Sequence, residues 1–399
     1  MVPKAPRVRR TDWIALPVLG LLTILVVLGG VEALARHLFA ASDTKAIDCM
    51  IVDDASTGLR AKPNSVCIEK LAEDSLPIEY RFNSCGHRAG MECGPKPPGS
   101  YRVVMVGSSF AMGLEVARER SFAATLPVQL SQLTGRQVDL YNEGMESGFP
   151  RSVDLQFNAA LTANPDLILW VLTPYDIKSV TELLPAAETS RGSFLSRNWG
   201  RVKVAYATQG AAYALQEFWG RVTSTFAGTK TGLMLRHYLF SSQTQYVKTY
   251  LLGTDDDTGF LKVAPSPLWQ DRLRQLDGYA AQIMSKASSA HVPLVAVLLP
   301  NRAQAAMLSM GQWPPGFDPY KLNAELRSVI ESHGGTYLDV LPGFHGVPNP
   351  ERGYFPVDGH PNAQGHAIFS VLLARGLANP HLGRAAAPPP RMLRSADRG

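Results

Sequence analysis

The stretch Arg102-Val103-Val104-Met105-Val106-Gly107-Ser108-Ser109-Phe110-Ala111-Met112-Gly113 sets the terms for any fold of this chain. An apolar, β-branched run stops at a glycine, presents two serines and turns through small residues toward a helical pattern. Such a run reads as a buried strand of a parallel sheet, because a strand covered on both faces shows no polar alternation. Ligands of open α/β sheets bind beyond the carboxyl ends of the strands, so Ser109 is expected in that crevice. An ordinary strand-turn-helix junction with serines as caps would use the same residues. The window alone does not separate the two.

The pattern then repeats. Ser121 to Leu133 has apolar positions near helical spacing, with Ser121 a candidate cap, and Gln137 to Asn142 reads as a second strand running into the glycine turn 143–148. Arg151 to Ala163 reads as a helix ended by Asn164-Pro165, since proline disfavours helix in the residue before it. Leu167-Ile168-Leu169-Trp170-Val171-Leu172 is apolar throughout and delivers Thr173-Pro174-Tyr175-Asp176 to the same sheet edge. After a lapse, Leu273 to His291, Pro293 to Leu299, Tyr320 to His333, Thr336 to Val340 and Ala367 to Leu377 resume as helix, strand, helix, strand and helix. This alternation predicts a parallel, doubly wound α/β sheet.

At 399 residues, 45% hydrophobic and 18% charged, the chain can bury a full core. Its formal charge of +5 suggests a nucleic-acid partner until the charges are located. Segments 1–12 and 384–399 each carry net +3, and the 371 residues between them sum to −1. With no basic stripe on the body, nucleic-acid binding is disfavoured.

Trp13 to Val31 is a run of 19 residues without a charge, preceded by Lys4, Arg7, Arg9 and Arg10. That length can span a bilayer core, and the basic flank should stay cytoplasmic. The reading is a signal anchor over 13–35, with a cytoplasmic tail 1–12 and the rest exported. A cleaved signal peptide, helped by Ala33-Leu34-Ala35, is the competing reading, but the apolar core of such peptides usually runs about 7–15 residues. The cysteines agree with export. Cys49, Cys67, Cys85 and Cys93 all follow the apolar run, an even set in a turn-rich stretch, which suggests two disulfides. Pairing sequence neighbours gives Cys49 with Cys67 and Cys85 with Cys93 among three possible connectivities. Zinc is the rival reading, but no Cys-x-x-Cys spacing occurs.

Residues 36–100 therefore read as a stapled, irregular collar whose job is spacing and packing. The α/β body spans 101–384, and 385–399, with three consecutive prolines, reads as a disordered tail. Between about 178 and 269 the alternation lapses in favour of Phe218-Trp219, Tyr238-Leu239-Phe240, Tyr246 and Tyr250. This is expected to be a helical insertion over the sheet's carboxyl edge, a candidate lid or substrate wall. Asp255-Asp256-Asp257 within it lacks the ligand spacing of a calcium loop and reads as a solvated turn.

A serine hydroxyl needs a base within hydrogen-bond reach, and the base needs a third group to orient it. Asp358 and His360, just before the last helix, can supply both, because residues i and i+2 of an extended or tight segment can point the same way. His366 is the competing base, but it belongs to the last helix. Asp176 can cap the segment after its strand, and Tyr175 can be a packed aromatic there.

Gly107-Ser-Ser-Phe-Ala-Met-Gly113, Asn142-x-Gly144, Thr173–Asp176 and Asp358-x-His360-Pro-Asn-x-x-Gly stand in the order of the four blocks of the SGNH/GDSL hydrolases, and residues 101–378 outside the insertion resemble that family. The resemblance implies a flavodoxin-like three-layer α/β/α fold with a central parallel sheet, here with one N-terminal transmembrane helix and a helical insertion. It implies Ser109 as nucleophile, His360 as general base and Asp358 as its orienting partner, with no cofactor and no metal. The N–H groups of Ser109 and Gly144 would form part of the oxyanion hole, glycine letting the amide approach the substrate.

Three departures qualify the pattern. Ser108 stands where the family usually has Asp, and Tyr175 stands where an asparagine usually supplies an oxyanion donor. Asp358 and His360 are also separated by one residue rather than two, a spacing known in relatives that act on exported polysaccharides. The expected function is a serine esterase that cleaves or transfers a small acyl group, acetyl by preference, on an envelope carbohydrate. A lipid ester is the alternative substrate. A catalytically weak domain that binds or scaffolds a polysaccharide export or modification assembly is the alternative class.

Overall fold

The computed structural model describes residues 12–54, 58–74, 76–183 and 228–378. The expected basic tail except Asp12, the tail 385–399 and the stretch of the insertion holding Phe218-Trp219 lie outside the described residues. The chain divides into two compact units.

The first unit contains the described parts of Met1–Asp43, Lys70–Pro77 and Ala187–Ser242. Its main element is α1 (Asp12–Leu38), of which the 24 residues Ala15–Leu38 are long and apolar enough to cross a membrane. At 1.5 Å per residue they span about 36 Å, against about 30 Å of bilayer core. The apolar run itself carries no charge, and Glu32, Arg36 and His37 fall in the last two turns.

The second unit takes Thr44–Glu69, Ile78–Ala186 and Gln243 onward. Its collar segment is more regular than the sequence suggests. β1 (Met50–Asp54) pairs with β2 (Gly58–Ala61), and β3 (Val66–Glu69) with β4 (Ile78–Arg81), both antiparallel. Strands of four or five residues are too short to establish a visible period, which is why the sequence reads as irregular. The disulfides join Cys49 to Cys67 and Cys85 to Cys93.

The body follows as β5 (Tyr101–Gly107), α2 (Ser109–Met112), α3 (Phe122–Thr134), β6 (Val138–Asn142), α4 (Pro150–Thr162), β7 (Leu167–Leu172) and α5 (Pro174–Lys178). Helix α6 (Lys230–Leu239) belongs to the first unit and packs on α1, where Glu32 accepts the backbone N–H of Thr231 at 2.9 Å and its hydroxyl at 2.8 Å. α7 (Gln243–Leu251) and α8 (Asp255–Thr258) return to the α/β unit. The described part of the insertion is thus helical but divided between the two units. Its three aspartates are met by protein cations: Asp255 by Lys262, Asp256 by Lys178 and Arg272, and Asp257 by Lys178.

The chain closes with α9 (Pro267–Ser289), β8 (Leu294–Leu298), α10 (Arg302–Met310), α11 (Lys321–Ser332), β9 (Thr336–Leu338) and α12 (Ala363–Leu377). α9 starts earlier than its apolar spacing predicts because Ser266 caps it and Pro267 takes the first position. α12 starts early for a similar reason, Asn362 accepting the N–H groups of Gln364 and Gly365. Ser121 does occupy the cap position of α3, yet its hydroxyl donates to the Arg118 carbonyl instead. α10 has no counterpart in the sequence reading. Residues 302–308 are all buried, so the helix shows no polar face to reveal its period.

All five body strands run parallel in the order β6-β5-β7-β8-β9, the flavodoxin-like order. α3 and α12 pack together on one face, α4, α9 and α11 on the other, which gives three α/β/α layers. The chain leaves β5 first toward β6 and later returns to β7 on the opposite side. This reversal opens the crevice at the carboxyl end of β5.

The part of the collar that belongs to the second unit packs against this body. Arg88, in the loop closed by Cys85–Cys93, is 1% exposed, and its ring-side neighbour is Tyr80, 4.5 Å from the guanidinium carbon. Its guanidinium donates to the carbonyls of Glu79, Gly113 and Val116. Burial draws its pKa down to about 10, so it stays charged at neutral pH. Replacing both Cys85 and Cys93 by serine is expected to lower the unfolding free energy by about 2–3 kcal/mol. A urea midpoint unchanged from the native chain in the same detergent would refute this.

Candidate active site

β5 ends at Gly107, whose φ of +148° suits glycine and where a Cβ would sit 2.4 Å from the Val171 carbonyl oxygen of β7. The chain can therefore turn sharply and place Ser109 at the first position of α2. The Ser109 N–H has no intrahelical acceptor at that position.

The other two groups arrive through the docking of α12. Phe369 packs near Phe110 and Phe122, with centroids 6.1 Å from each, and Phe122 stacks on His366 at 5.2 Å. The Thr125 hydroxyl donates to Ser370 across the same α3/α12 contact. With α12 fixed, the turn before it becomes fixed too. Phe355 N–H donates to the His360 carbonyl and Gly359 N–H to the Phe355 carbonyl. Within this turn one oxygen of Asp358 accepts both the His360 N–H at 3.0 Å and the imidazole Nδ1–H at 2.6 Å. The other ring nitrogen, Nε2, lies 2.9 Å from Ser109 Oγ, across 251 residues of chain.

The one-residue spacing of Asp358 and His360 thus has a local cause. A carboxylate that already caps the backbone two residues on is also placed to hold that residue's ring. Burial works against charging His360, but the Asp358 carboxylate, with help from Glu146 and Asp176, raises its pKa above the ordinary 6.5. Asp358 in turn is held below the usual carboxylate range, the imidazolium and its hydrogen bonds outweighing burial.

His366 is placed differently. It is fully buried, its Nδ1 accepts the Phe122 N–H at 3.2 Å, and burial pulls its pKa down to about 3. It stays neutral and structural.

Gly144 lies in the loop after β6, and its N–H donates to Asn142 Oδ1 at 2.9 Å, while Asn142 Nδ2 donates to the Ala111 carbonyl. A Cβ at 144 would come 2.5 Å from the Met112 nitrogen. The glycine therefore answers the close passage of α2 against this loop. Tyr175 is 51% exposed on α5, its ring 5.8 Å from Phe149, and among the described residues its hydroxyl makes no hydrogen bond. The structure brings Ser109, His360 and Asp358 into one chain of contacts. It does not bring Tyr175 into that chain.

Asp176 is the cap expected of it, forming a box with Thr173. It is also fully buried, and burial pushes its pKa up to about 7 against the easing effect of Thr173 and Ser108. This accounts for Ser108. An aspartate there would set two carboxylates together in the core.

Glu115 was not visible as a site residue. Its carboxylate oxygen stands 3.7 Å from His360 Nδ1, yet it follows the serine motif at no spacing that a sequence rule marks. Among the described residues, Glu115, Asp358 and His360 form the group whose donor atoms lie within 4.8 Å of one another, near enough to face a shared cation. Two of those donors are already committed to each other through the Asp358–His360 bond.

No protein-family model matches the chain, and no curated protein matches its sequence. Several solved structures do resemble it. An α/β hydrolase enzyme from the metagenome of Lake Arreo aligns at 13% identity and TM-score 0.34, covering 70% of this chain and 96% of that one. A catalytic mutant of an acetylxylan esterase from Geobacillus stearothermophilus aligns at 10% identity and TM-score 0.37, covering 72% and 99%. A psychrotrophic esterase from Pseudoalteromonas sp. aligns at 10% identity and TM-score 0.32, covering 69% and 96%.

Asp358→Asn is expected to lower the His360 titration midpoint from its position above 6.5 by about one to three units, because the anion favouring the imidazolium is removed. NMR titration of the imidazole reads this directly, and an unmoved midpoint would contradict it.

Proposed function

We propose that this chain is an SGNH-type serine ester hydrolase held in the bacterial inner membrane by α1, with its α/β unit in the periplasm. The observation that carries the reading is the continuous relay from Ser109 Oγ through His360 to Asp358. In the proposed reaction Ser109 Oγ attacks the ester carbonyl while His360 Nε2 takes its proton, and Asp358 stabilises the imidazolium that forms. The tetrahedral oxyanion rests on the Ser109 N–H. Gly144 supplies a second donor when its N–H turns from Asn142, and Tyr175 a third if its hydroxyl swings inward. Collapse expels the alcohol, protonated by His360, and leaves an acyl-serine that passes to water or to a sugar hydroxyl.

The membrane and compartment rest on the apolar run, its basic flank and the two disulfides, which persist in oxidising surroundings. The proposed substrate is a small acyl ester, acetyl by preference, on an envelope carbohydrate. Membrane anchoring and the likeness of the Asp358-x-His360 spacing to relatives that act on exported polysaccharides support that choice, and the aromatic insertion equally permits a lipid ester.

The Gly144 amide already engaged by Asn142 and the half-exposed Tyr175 favour a second reading, a catalytically weak domain that binds or scaffolds a polysaccharide export or modification assembly. A fluorophosphonate probe separates the two, since it reacts only with an activated serine. Under the first reading Ser109 is labelled. For turnover, Ser109→Ala in the full chain should reduce hydrolysis of p-nitrophenyl acetate by about 10³-fold or more. Equal rates for the two proteins would sink the hydrolase reading.

A further inference from the structure

A groove of about 740 Å³ lies within the second unit, between the collar and helix α4, and none of Ser109, His360 and Asp358 lines it. Small-molecule sites run from about 300 to 1,000 Å³, so the groove has the size of one. Its lining comes from the Cys85–Cys93 loop and Arg60 of β2 on the collar side, from Leu155 and Ala159 of α4, and from Tyr141 and Glu143 at the end of the edge strand β6.

Glu143 is the group that defines the groove. Its side chain lines the space while only 8% exposed, and among the described residues its carboxyl makes no hydrogen bond. His87 Nδ1 stands 3.9 Å away, outside hydrogen-bond reach, and that nitrogen already faces the Tyr141 hydroxyl at 3.1 Å. The Tyr141 hydroxyl in turn accepts from Asn83 Nδ2 at 3.1 Å. His87 also lines the groove, and its other nitrogen, Nε2, has no hydrogen bond among the described residues. Buried polar groups are normally satisfied by protein, water or ligand, because leaving one unpaired forfeits its hydration for nothing. A carboxyl and an imidazole nitrogen, both open to one cavity, mark a place where a ligand's polar groups fit.

The chemistry of these groups selects among ligands. Burial pushes the Glu143 pKa up to about 7, and burial together with the Arg60 charge draws His87 down to about 4. At neutral pH the imidazole is therefore uncharged, and the carboxyl exists in both forms. A calcium ion needs six or more oxygen ligands, and the one oxygen–nitrogen pair here has its nitrogen turned to Tyr141. An anionic ligand would meet the Glu143 carboxylate, while the Lys96 ammonium is held at 2.8 Å by both oxygens of Asp166. Hydroxyl groups suit either form of the carboxyl and either tautomer of the imidazole, since each hydroxyl can donate or accept. Pro63, Pro95 and Leu155 add apolar lining for the C–H faces of a sugar ring. We propose that this groove is a binding site for a neutral saccharide, whose hydroxyl groups pair with Glu143 and His87.

The groove adjoins the reaction centre without entering it. Glu143 N–H donates to the Met105 carbonyl and Met145 N–H to the Gly107 carbonyl, so the loop that starts at Glu143 runs past the turn that carries Ser109. Binding here does not need Ser109 to be catalytic. Where esters are hydrolysed at Ser109, the groove holds the carbohydrate chain beside the loop that contains Gly144.

The test is saccharide titration of the full chain in detergent, followed by the imidazole NMR signals of His87, with those of His360 reporting the catalytic crevice separately. The probes are cellotetraose, xylotetraose, mannotetraose and N-acetylchitotetraose, with tetragalacturonate and calcium chloride as the anionic and metal comparisons. At least one neutral probe is expected to shift the His87 signals and to saturate with Kd of about 1 mM or tighter. Glu143→Leu should weaken that binding by about 10-fold or more, and Glu143→Gln, which keeps a donor and an acceptor, by about threefold or less. Ala159→Trp, at an exposed position of α4, should fill the groove and abolish the shift, and it decides the matter if Glu143→Leu fails to fold. Absence of a His87 shift with every neutral probe at 10 mM, about ten times that Kd, would overturn the proposal. So would tighter binding of tetragalacturonate or calcium, or saccharide binding that Ala159→Trp leaves intact. Equal p-nitrophenyl acetate turnover by wild type and Ser109→Ala would defeat the hydrolase reading alone, since the titration does not depend on turnover.

Discussion

The contact between His360 Nε2 and Ser109 Oγ depends on almost every long-range feature of the second unit, and it joins the end of the first body strand to the turn before the last helix. Neither end finds the other by local chemistry. Ser109 is placed by a strand buried between β6 and β7, and by a glycine that lets the chain turn beside the Val171 carbonyl. His360 is placed by α12, whose Phe369 lodges between Phe110 and Phe122. Packing density makes this placement firm, since a close-packed interior transmits small shifts rather than absorbing them.

The collar enters the same economy of positions. The Cys85–Cys93 disulfide closes the loop that carries Arg88, and Arg88 pins the carbonyls flanking Glu115. Three carbonyl oxygens accept from the two terminal nitrogens of the buried guanidinium, so its charge holds backbone. The segment expected to space and pack thus clamps the loop leading from the serine helix.

Much of the body was legible because buried parallel strands leave an unmistakable trace. Leu167–Leu172 is a strand over the same residues that its apolar run marks, and β6 and β8 fall within a residue or so of expectation. Helix α10 left no trace, because a segment such as Arg302–Leu308 that is buried all round shows no face. The four collar strands were too short to show a period. Within the site, Ser109, Asp358 and His360 could be nominated because their chemistry is scarce and their spacing is informative. Glu115 could not, since its approach to His360 depends on a left-handed backbone and on Tyr80 and Arg88, and neither is a property of the residues next to it. Gly144 was expected for ligand approach, and the structure adds a packing reason, the close passage of α2.

The sequence by itself determined the class of sheet, the apolar helix and the residue types able to form a relay, because hydrophobic period, uninterrupted apolar length and side-chain chemistry are local properties. It also contained the reason for the Asp358–His360 pairing, which lies in a turn of a few residues. Only the tertiary structure decided which groups surround that pair, because a carboxyl's charge is set by burial and by neighbours brought from β3, the collar loop and α5. It likewise decided that Tyr175 stands apart and that the Gly144 amide is already in use, since both follow from how α2, α5 and the loop after β6 pass one another in space.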